Sequence, residues 1–335
     1  MSEIVMQNLL SPAVLFFMLG IAAALVKSDL KIPGALSESL SIYLLIAIGL
    51  KGGIELSHYS PESVIKPIIG AVLLGSIIPF IVLLMNRIIK MDVKNAIGLA
   101  AAYGSVSIVT YGAAVEFLEK NAISYEGFMN ALVVVMESPA IFVSLLLLKI
   151  IENKENKPAV SMRSTGIAAW SATIIDKEVV KESLFGKSVF LLLGSLTVGL
   201  ILGERAMPAV KPLFMDLYSS VLILFLLSMG LTTGQRLPEV KKQGKKLLLF
   251  GVMAPVLFGT LGVLTGNLVG LSLGGMTLMG VLAGSASYIA APAALKASVP
   301  EANPSIYLGS ALGVTFPFNL VIGIPVYYQI AQWMQ

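Results

Sequence analysis

The chain has 335 residues, of which 56% are hydrophobic and 13% charged, with a mean hydropathy of +0.89, a formal charge of +4 and no cysteine. A soluble domain carries about 25% charged residues, so a chain with this composition and repeated apolar runs near a bilayer's thickness is a polytopic helical membrane protein. The missing cysteines exclude disulfides, thiolate metal sites and cysteine nucleophiles, and the basic balance reads as lysine retained in cytoplasmic loops, with no nucleic-acid partner implied.

Ten apolar segments follow in order, at about 9–26, 35–51, 64–86, 95–118, 127–150, 188–204, 213–231, 246–268, 275–296 and 305–332. Residues 1–10 lack the basic region and small-residue cleavage site of a signal peptide, so the first run is expected to stay as a span. Between the fifth and sixth runs lies the one long polar stretch, residues 151–187, rich in Lys, Glu and Ser. The expected organisation is therefore a first five-helix unit over 1–150, a linker over 151–187 and a second five-helix unit over 188–335.

Sorting Lys and Arg by side gives 18 on the linker side and 5 on the other. The positive-inside rule makes the linker cytoplasmic and places both termini outside. The halves also repeat each other. Gly20 matches Gly194, Pro33 matches Pro208, Ile48-Gly49-Leu50 matches Met229-Gly230-Leu231, Gly53 matches Gly234, Gly104-Ser105 matches Gly284-Ser285, and Pro139 matches Pro317, with offsets of 174 to 181. Five spans per half is odd, so the second half enters from the opposite side and the repeat is inverted, an arrangement of many secondary transporters.

Such folds bind substrate at the midplane between discontinuous helices. The fourth and ninth spans fit, because each carries a small-residue cluster near its centre: Gly104-Ser105-Val106-Ser107 and Gly284-Ser285-Ala286-Ser287. Broken helices leave backbone groups unpaired, which lipid tolerates only around a wet or protein-lined cavity. Ser105, Ser107, Thr110, Ser285 and Ser287 are suited to cap the half-helices that follow, and Pro292 suits a first helical turn. Two helix N-termini facing one cavity make an anion site without any Arg or Lys. The competing explanation is helix packing, which in membranes also uses Gly, Ser and Thr.

Glu137 lies mid-span, two residues before Pro139, where a charge is expensive. It can serve as a cation or proton carrier; otherwise it hydrogen-bonds, protonated, to a carbonyl freed by Pro139. Glu116 reads as a helix-end residue snorkelling to the interface, and His58, the only histidine, as a solvated loop residue. Lys241, Lys242, Lys245 and Lys246 read as a helix anchor at the anionic leaflet. No catalytic pair and no Walker motif is present, so neither enzyme chemistry nor ATP-driven transport is expected.

Several stretches carry a family resemblance: Ile48-Gly49-Leu50-Lys51-Gly52-Gly53, Ile123-Ser124-Tyr125-Glu126, Met136-Glu137-Ser138-Pro139-Ala140, and residues 299–309 with their two prolines. On these the chain resembles the sodium-dependent bicarbonate transporter family of cyanobacteria and other bacteria. The resemblance implies ten spans in two inverted repeats with crossing fourth and ninth helices, a bacterial plasma-membrane location, homotrimers and a small PII-like cytoplasmic regulator. It also implies bicarbonate bound at the crossing, at Gly104, Ser105, Val106, Ser107, Gly284, Ser285, Ala286 and Ser287, with sodium as coupling ion near Ser107, Thr110, Glu137 and Ser287. This chain departs from the family's pattern at Tyr288, where the family has an acidic residue, and at Ala290, where it has a hydroxyl. Ile108 and Val109 likewise replace small polar residues.

The expected function is sodium-coupled bicarbonate uptake with no other cofactor. The runner-up is a sodium- or proton-coupled transporter of another small or organic anion on a bile-acid-symporter-like fold. A receptor that binds without transporting is the reading from another class.

Overall fold

Lipid leaves a backbone two ways to satisfy its polar groups, helix and closed barrel. The computed structural model describes residues 2–155, 185–242 and 244–335; it is nearly all helix, with no strand among the described residues. The helices are α1 (Ser2–Leu9), α2 (Pro12–Leu25), α3 (Gly34–Leu56), α4 (Pro61–Ile89), α5 (Val93–Gly104), α6 (Ile108–Lys120) and α7 (Met129–Glu155). After the linker come α8 (Lys187–Leu202), α9 (Tyr218–Lys242), α10 (Lys245–Leu268), α11 (Leu273–Gly284), α12 (Ala290–Ser298) and α13, a 31-residue helical run over Pro304–Met334. Most of the predicted linker, residues 156–184, lies outside the described residues.

Among the described residues, seven segments are long and apolar enough to cross a membrane: Gly34–Leu56, Pro61–Ile89, Val93–Lys120, Met129–Glu152, Lys187–Pro238, Lys245–Leu268 and Pro304–Met334. The fifth contains both α8 and α9, joined by short helical turns through Pro208 and Pro212. Two apolar helices, Pro12–Leu25 and Leu273–Gly284, are shorter. The N-terminal residues, for which the sequence set no structure, form a helix, α1, held where the Asn8 amide donates to the Leu320 carbonyl at 2.5 Å. One expectation needs correction. The seventh span starts at Tyr218 and runs on to Lys242, because the prolines before it build turns.

Glycine sets how the helices pair. Helix α2 packs on α9, and α3 on α8. Gly49 and Gly53 face α8, while Gly230 and Gly234 face α2, two small-xxx-small faces that let backbones approach closely. A Cβ on Gly53 would sit 2.0 Å from the Leu196 carbonyl, and one on Gly230 would sit 2.1 Å from the Phe17 carbonyl. Gly194, matched to Gly20 by sequence, meets nothing within 4 Å, and the residue that faces Gly49 as Gly20 faces Gly230 is its neighbour Ser195. Around this set, α4, α5 and α7 pack together, as do α10, α11 and α13.

The centre belongs to the two helices with clusters. Residues 96–118 and 274–288 are buried without interruption, which suits helices that are apolar or small all round.

Candidate functional site

Helix α5 ends at Gly104, and Ser105 and Ser107 are extended (φ −86°, ψ 176° and φ −102°, ψ 107°) before α6 begins at Ile108. Helix α11 ends the same way: Ser285 has φ −89°, ψ 171°, and α12 begins at Ala290. Glycine at 104 is required by space, since a Cβ there would lie 2.8 Å from Pro79 Cγ and 2.9 Å from Ala140 Cβ.

The breaks touch each other. The Ser107 amide donates to Ser285 Oγ at 2.9 Å, and the Ser287 amide donates to the Ala102 carbonyl at 2.7 Å. Ser107 Oγ accepts from the Thr110 amide at 3.2 Å and from Thr110 Oγ1 at 2.8 Å, the expected cap of α6. Ser287 Oγ accepts from the Ala291 amide at 3.2 Å and so caps α12, with Pro292 in that helix's first turn. Ser285, expected to cap the following helix, instead donates to the Leu282 carbonyl and bridges to Ser107. Ser105 caps nothing. Were the crossing symmetric, Ser105 Oγ would accept from Ser287, but that amide goes to Ala102 and the buried hydroxyl keeps no partner. The Val106 amide in the first break, and the Ser285, Ala286, Tyr288 and Ile289 amides in the second, have no hydrogen-bond acceptor.

Carbonyls at the breaks are held from α13. Two wide turns, Ala311–Thr315 and Asn319–Gly323, turn Thr315 and Asn319 inward. Asn319 donates to the Gly284 carbonyl at 2.8 Å, with Tyr327 OH 2.7 Å from its Oδ1. Pro255 lacks the N–H that would pair with Gly251; Thr315 Oγ1 donates to that carbonyl at 2.7 Å instead, and Tyr103 OH lies 2.6 Å from Thr315 Oγ1. The far ends of the broken helices are clamped reciprocally. Glu126 accepts from the Ser272 amide at 2.6 Å at the start of α11, while Asn95 accepts from the Asn303 amide at 2.7 Å at the start of α5. Sequence reading noticed both polar stretches without their role; their mid-loop carboxylates, amides and prolines were the available signal.

Glu137 is buried, with Oε2 unpartnered. Ala140, one turn along the same face of α7, abuts Gly104, and Asn130 accepts from Tyr111 OH at 3.2 Å. Glu137 therefore stands at a height between Gly104 and Tyr111. Of the predicted cation set, Ser107 and Thr110 are hydrogen-bonded to each other, and Glu137 makes no hydrogen bond to Ser107, Thr110 or Ser287. Among the described residues no three acidic or histidine side chains cluster as a metal site. Tyr288, read in sequence as a lost acidic residue, is buried against Phe316 (centroids 5.4 Å, 69°) with an unpartnered hydroxyl. Ile108, Val109 and Ala290 are buried apolar walls.

Two cavities approach the crossing along the two half-helices. One, of about 260 Å³, reaches Tyr111 and Val115 and carries Lys51 among Glu55, Glu116, Glu119 and Glu204. The other, of about 490 Å³, reaches Tyr288, Ile289 and Ala293. Glu116 is salt-bridged to Lys120 at 2.7 Å, and His58, expected to be solvated, lies 3.1 Å from Glu204.

Broken, mutually bonded helices at the buried centre of a polytopic bundle, with a cavity on either side, are the architecture of a membrane transporter. A family model described as the Na+-dependent bicarbonate transporter superfamily matches residues 12–332, and the chain belongs to that superfamily. It is a transporter and not an enzyme. A comparison with curated proteins finds no match.

Proposed function

We propose that the protein imports bicarbonate together with sodium, by exposing the crossing of α5/α6 and α11/α12 alternately to the two cavities. The observation that carries this is the pair of breaks: two half-helix N-termini and two amides without acceptors, Val106 and Ala286, meet at the centre with no Lys or Arg among them. Such a site holds a small anion by N–H groups and hydroxyls. We count ten passes, taking α5/α6 and α11/α12 as one each, in two inverted repeats over 1–150 and 188–335. The reciprocal pairing of α2 with α9 and α3 with α8 supports that symmetry, as do the reciprocal clamps at Ser272 and Asn303. The basic residues put the linker in the cytoplasm and both termini outside. Trimeric assembly and a PII-like regulator belong to the same reading and rest on the family resemblance.

Purified protein in liposomes is expected to take up labelled bicarbonate faster under an inward sodium gradient than under potassium. Equal rates would refute sodium coupling, and no uptake in either would refute the substrate. Glu137, with its unpartnered carboxylate oxygen, favours a second reading in which a proton is carried. In that case wild-type uptake drives a pH change and needs no sodium gradient, and Glu137→Gln abolishes that pH change.

A further inference from the structure

Tyr288 follows directly on Ser287, whose hydroxyl caps α12, and so sits where the crossing meets the larger cavity. Its ring is held edge-on by Phe316, which is itself held edge-on by Phe17 at 5.2 Å. The ring is therefore fixed by packing, and its hydroxyl is the part left over. That hydroxyl is buried and makes no hydrogen bond. An unpaired buried hydroxyl is costly, so one at this place calls for a ligand. Ser105 Oγ, in the other break, is the second unpartnered hydroxyl of the crossing. The rest of the cavity adds hydroxyls, Ser37 and Ser228 bonded at 2.9 Å and Thr232, while Lys187 and Glu38 neutralise each other on its wall.

We propose that the Tyr288 hydroxyl binds the transported anion and determines its specificity. The residue works as a neutral, rigid donor at the inner wall of the crossing, where it selects an anion with an exposed oxygen acceptor. A phenol donates one hydrogen bond at a fixed reach, so the site favours small planar oxyanions over halides, whose charge is not presented through a directional oxygen. The inference rests on the anion-transport reading and names a ligand that reading does not contain.

The test is Tyr288→Phe, which keeps the ring and its contact with Phe316. Without anion, the variant is expected to melt at or above the wild-type temperature, because a buried unpaired hydroxyl is removed. With sodium bicarbonate, its half-saturating concentration for thermal stabilisation and for liposome uptake is expected to rise about tenfold, and the preference for bicarbonate over chloride in competition to shrink. A purely structural tyrosine would give the opposite pattern, a lower melting temperature without a change in half-saturation. Variant and wild type saturating within twofold of each other, in protein that transports bicarbonate, would overturn this inference alone. Wild type that neither binds nor transports bicarbonate would overturn the proposed function and this inference with it.

Discussion

Thr315 gives the sharpest test of how the crossing is held. Its hydroxyl has one proton, and the Gly251 carbonyl 2.7 Å away can only accept it. Tyr103 OH must then be the donor across the 2.6 Å contact with Thr315. Thr315→Val, a swap of similar shape, removes both bonds and leaves two buried orphans, the Gly251 carbonyl and the Tyr103 hydroxyl. Each orphan costs about 1–3 kcal/mol, while side-chain hydrogen bonds in membrane proteins average about 0.6 kcal/mol; the low end of the first range gives about 2 kcal/mol in all. Tyr103→Phe loses one bond and leaves no orphaned donor, so its cost is about 0.6–1 kcal/mol. In the Thr315→Val background the same Tyr103→Phe change removes a stranded hydroxyl and is expected to restore stability. A double-mutant cycle measured by detergent-titrated unfolding should therefore show a coupling of about 1 kcal/mol or more, with the effect of Tyr103→Phe changing sign. Additive effects would refute the relay from Tyr103 to the kink at Pro255. A wild-type-like Thr315→Val would refute the claim that the threonine replaces the missing proline N–H.

Two further outcomes follow from the packing and the outer contacts. Gly53→Ala places a Cβ 2.0 Å from the Leu196 carbonyl, so α3 and α8 must part, and unfolding should become easier by about 1–3 kcal/mol. Gly194→Ala, with nothing within 4 Å, should be neutral or slightly stabilising in the same assay. Glu301, paired to Lys94 at 2.7 Å, has its carboxyl held below the ordinary value of 4.5, chiefly by its hydrogen bond to that lysine. A depressed folded value means that its contribution to stability is present above the unfolded pKa and is lost as pH falls through the folded one. Protection against hydrogen exchange, taken relative to the intrinsic rate at each pH, should accordingly fall in residues 299–303 on acidification through that range in wild type, and show no such step in Lys94→Gln.

The spans and both breaks were legible because their signals are local. An apolar run of bilayer length specifies a helix whatever packs around it, and Gly-Ser-x-Ser inside such a run specifies where it stops. Ser107 and Ser287 followed for the same reason, since a cap reads only the next three or four residues. Ser285 did not: its partner is Ser107, 178 residues away, and nothing local separates a bridging serine from a capping one. The glycine faces were half legible. Gly49 and Gly53 were seen as matches to Gly230 and Gly234 before their role in close approach was known, and a one-residue slip put Gly194 where Ser195 belongs. Asn319 was missed although a signal existed, an amide in the middle of an apolar run. The wide turns that aim it leave no pattern in sequence.

The two breaks are alike in backbone and unlike in what they leave unsatisfied. Ser105 and Ser285 share their dihedrals to within a few degrees, yet the Ser285 hydroxyl is engaged on both sides while Ser105 Oγ is not. The asymmetry comes from a single exchange, the Ser287 amide choosing the Ala102 carbonyl. That choice also brings the segment carrying Tyr288 against the end of α5. A site whose two halves were fully satisfied by each other would be a strut, with nothing to gain from an ion. Here Ser105 Oγ, Tyr288 OH and the segment amides are donors without acceptors at the crossing, and none of them carries a charge. On the proposed function, an anion bound there would satisfy groups that the fold has already desolvated, and so would remove a penalty that the empty site carries. That difference between empty and loaded states is what a coupled transporter needs if it is to change conformation only when its site is filled.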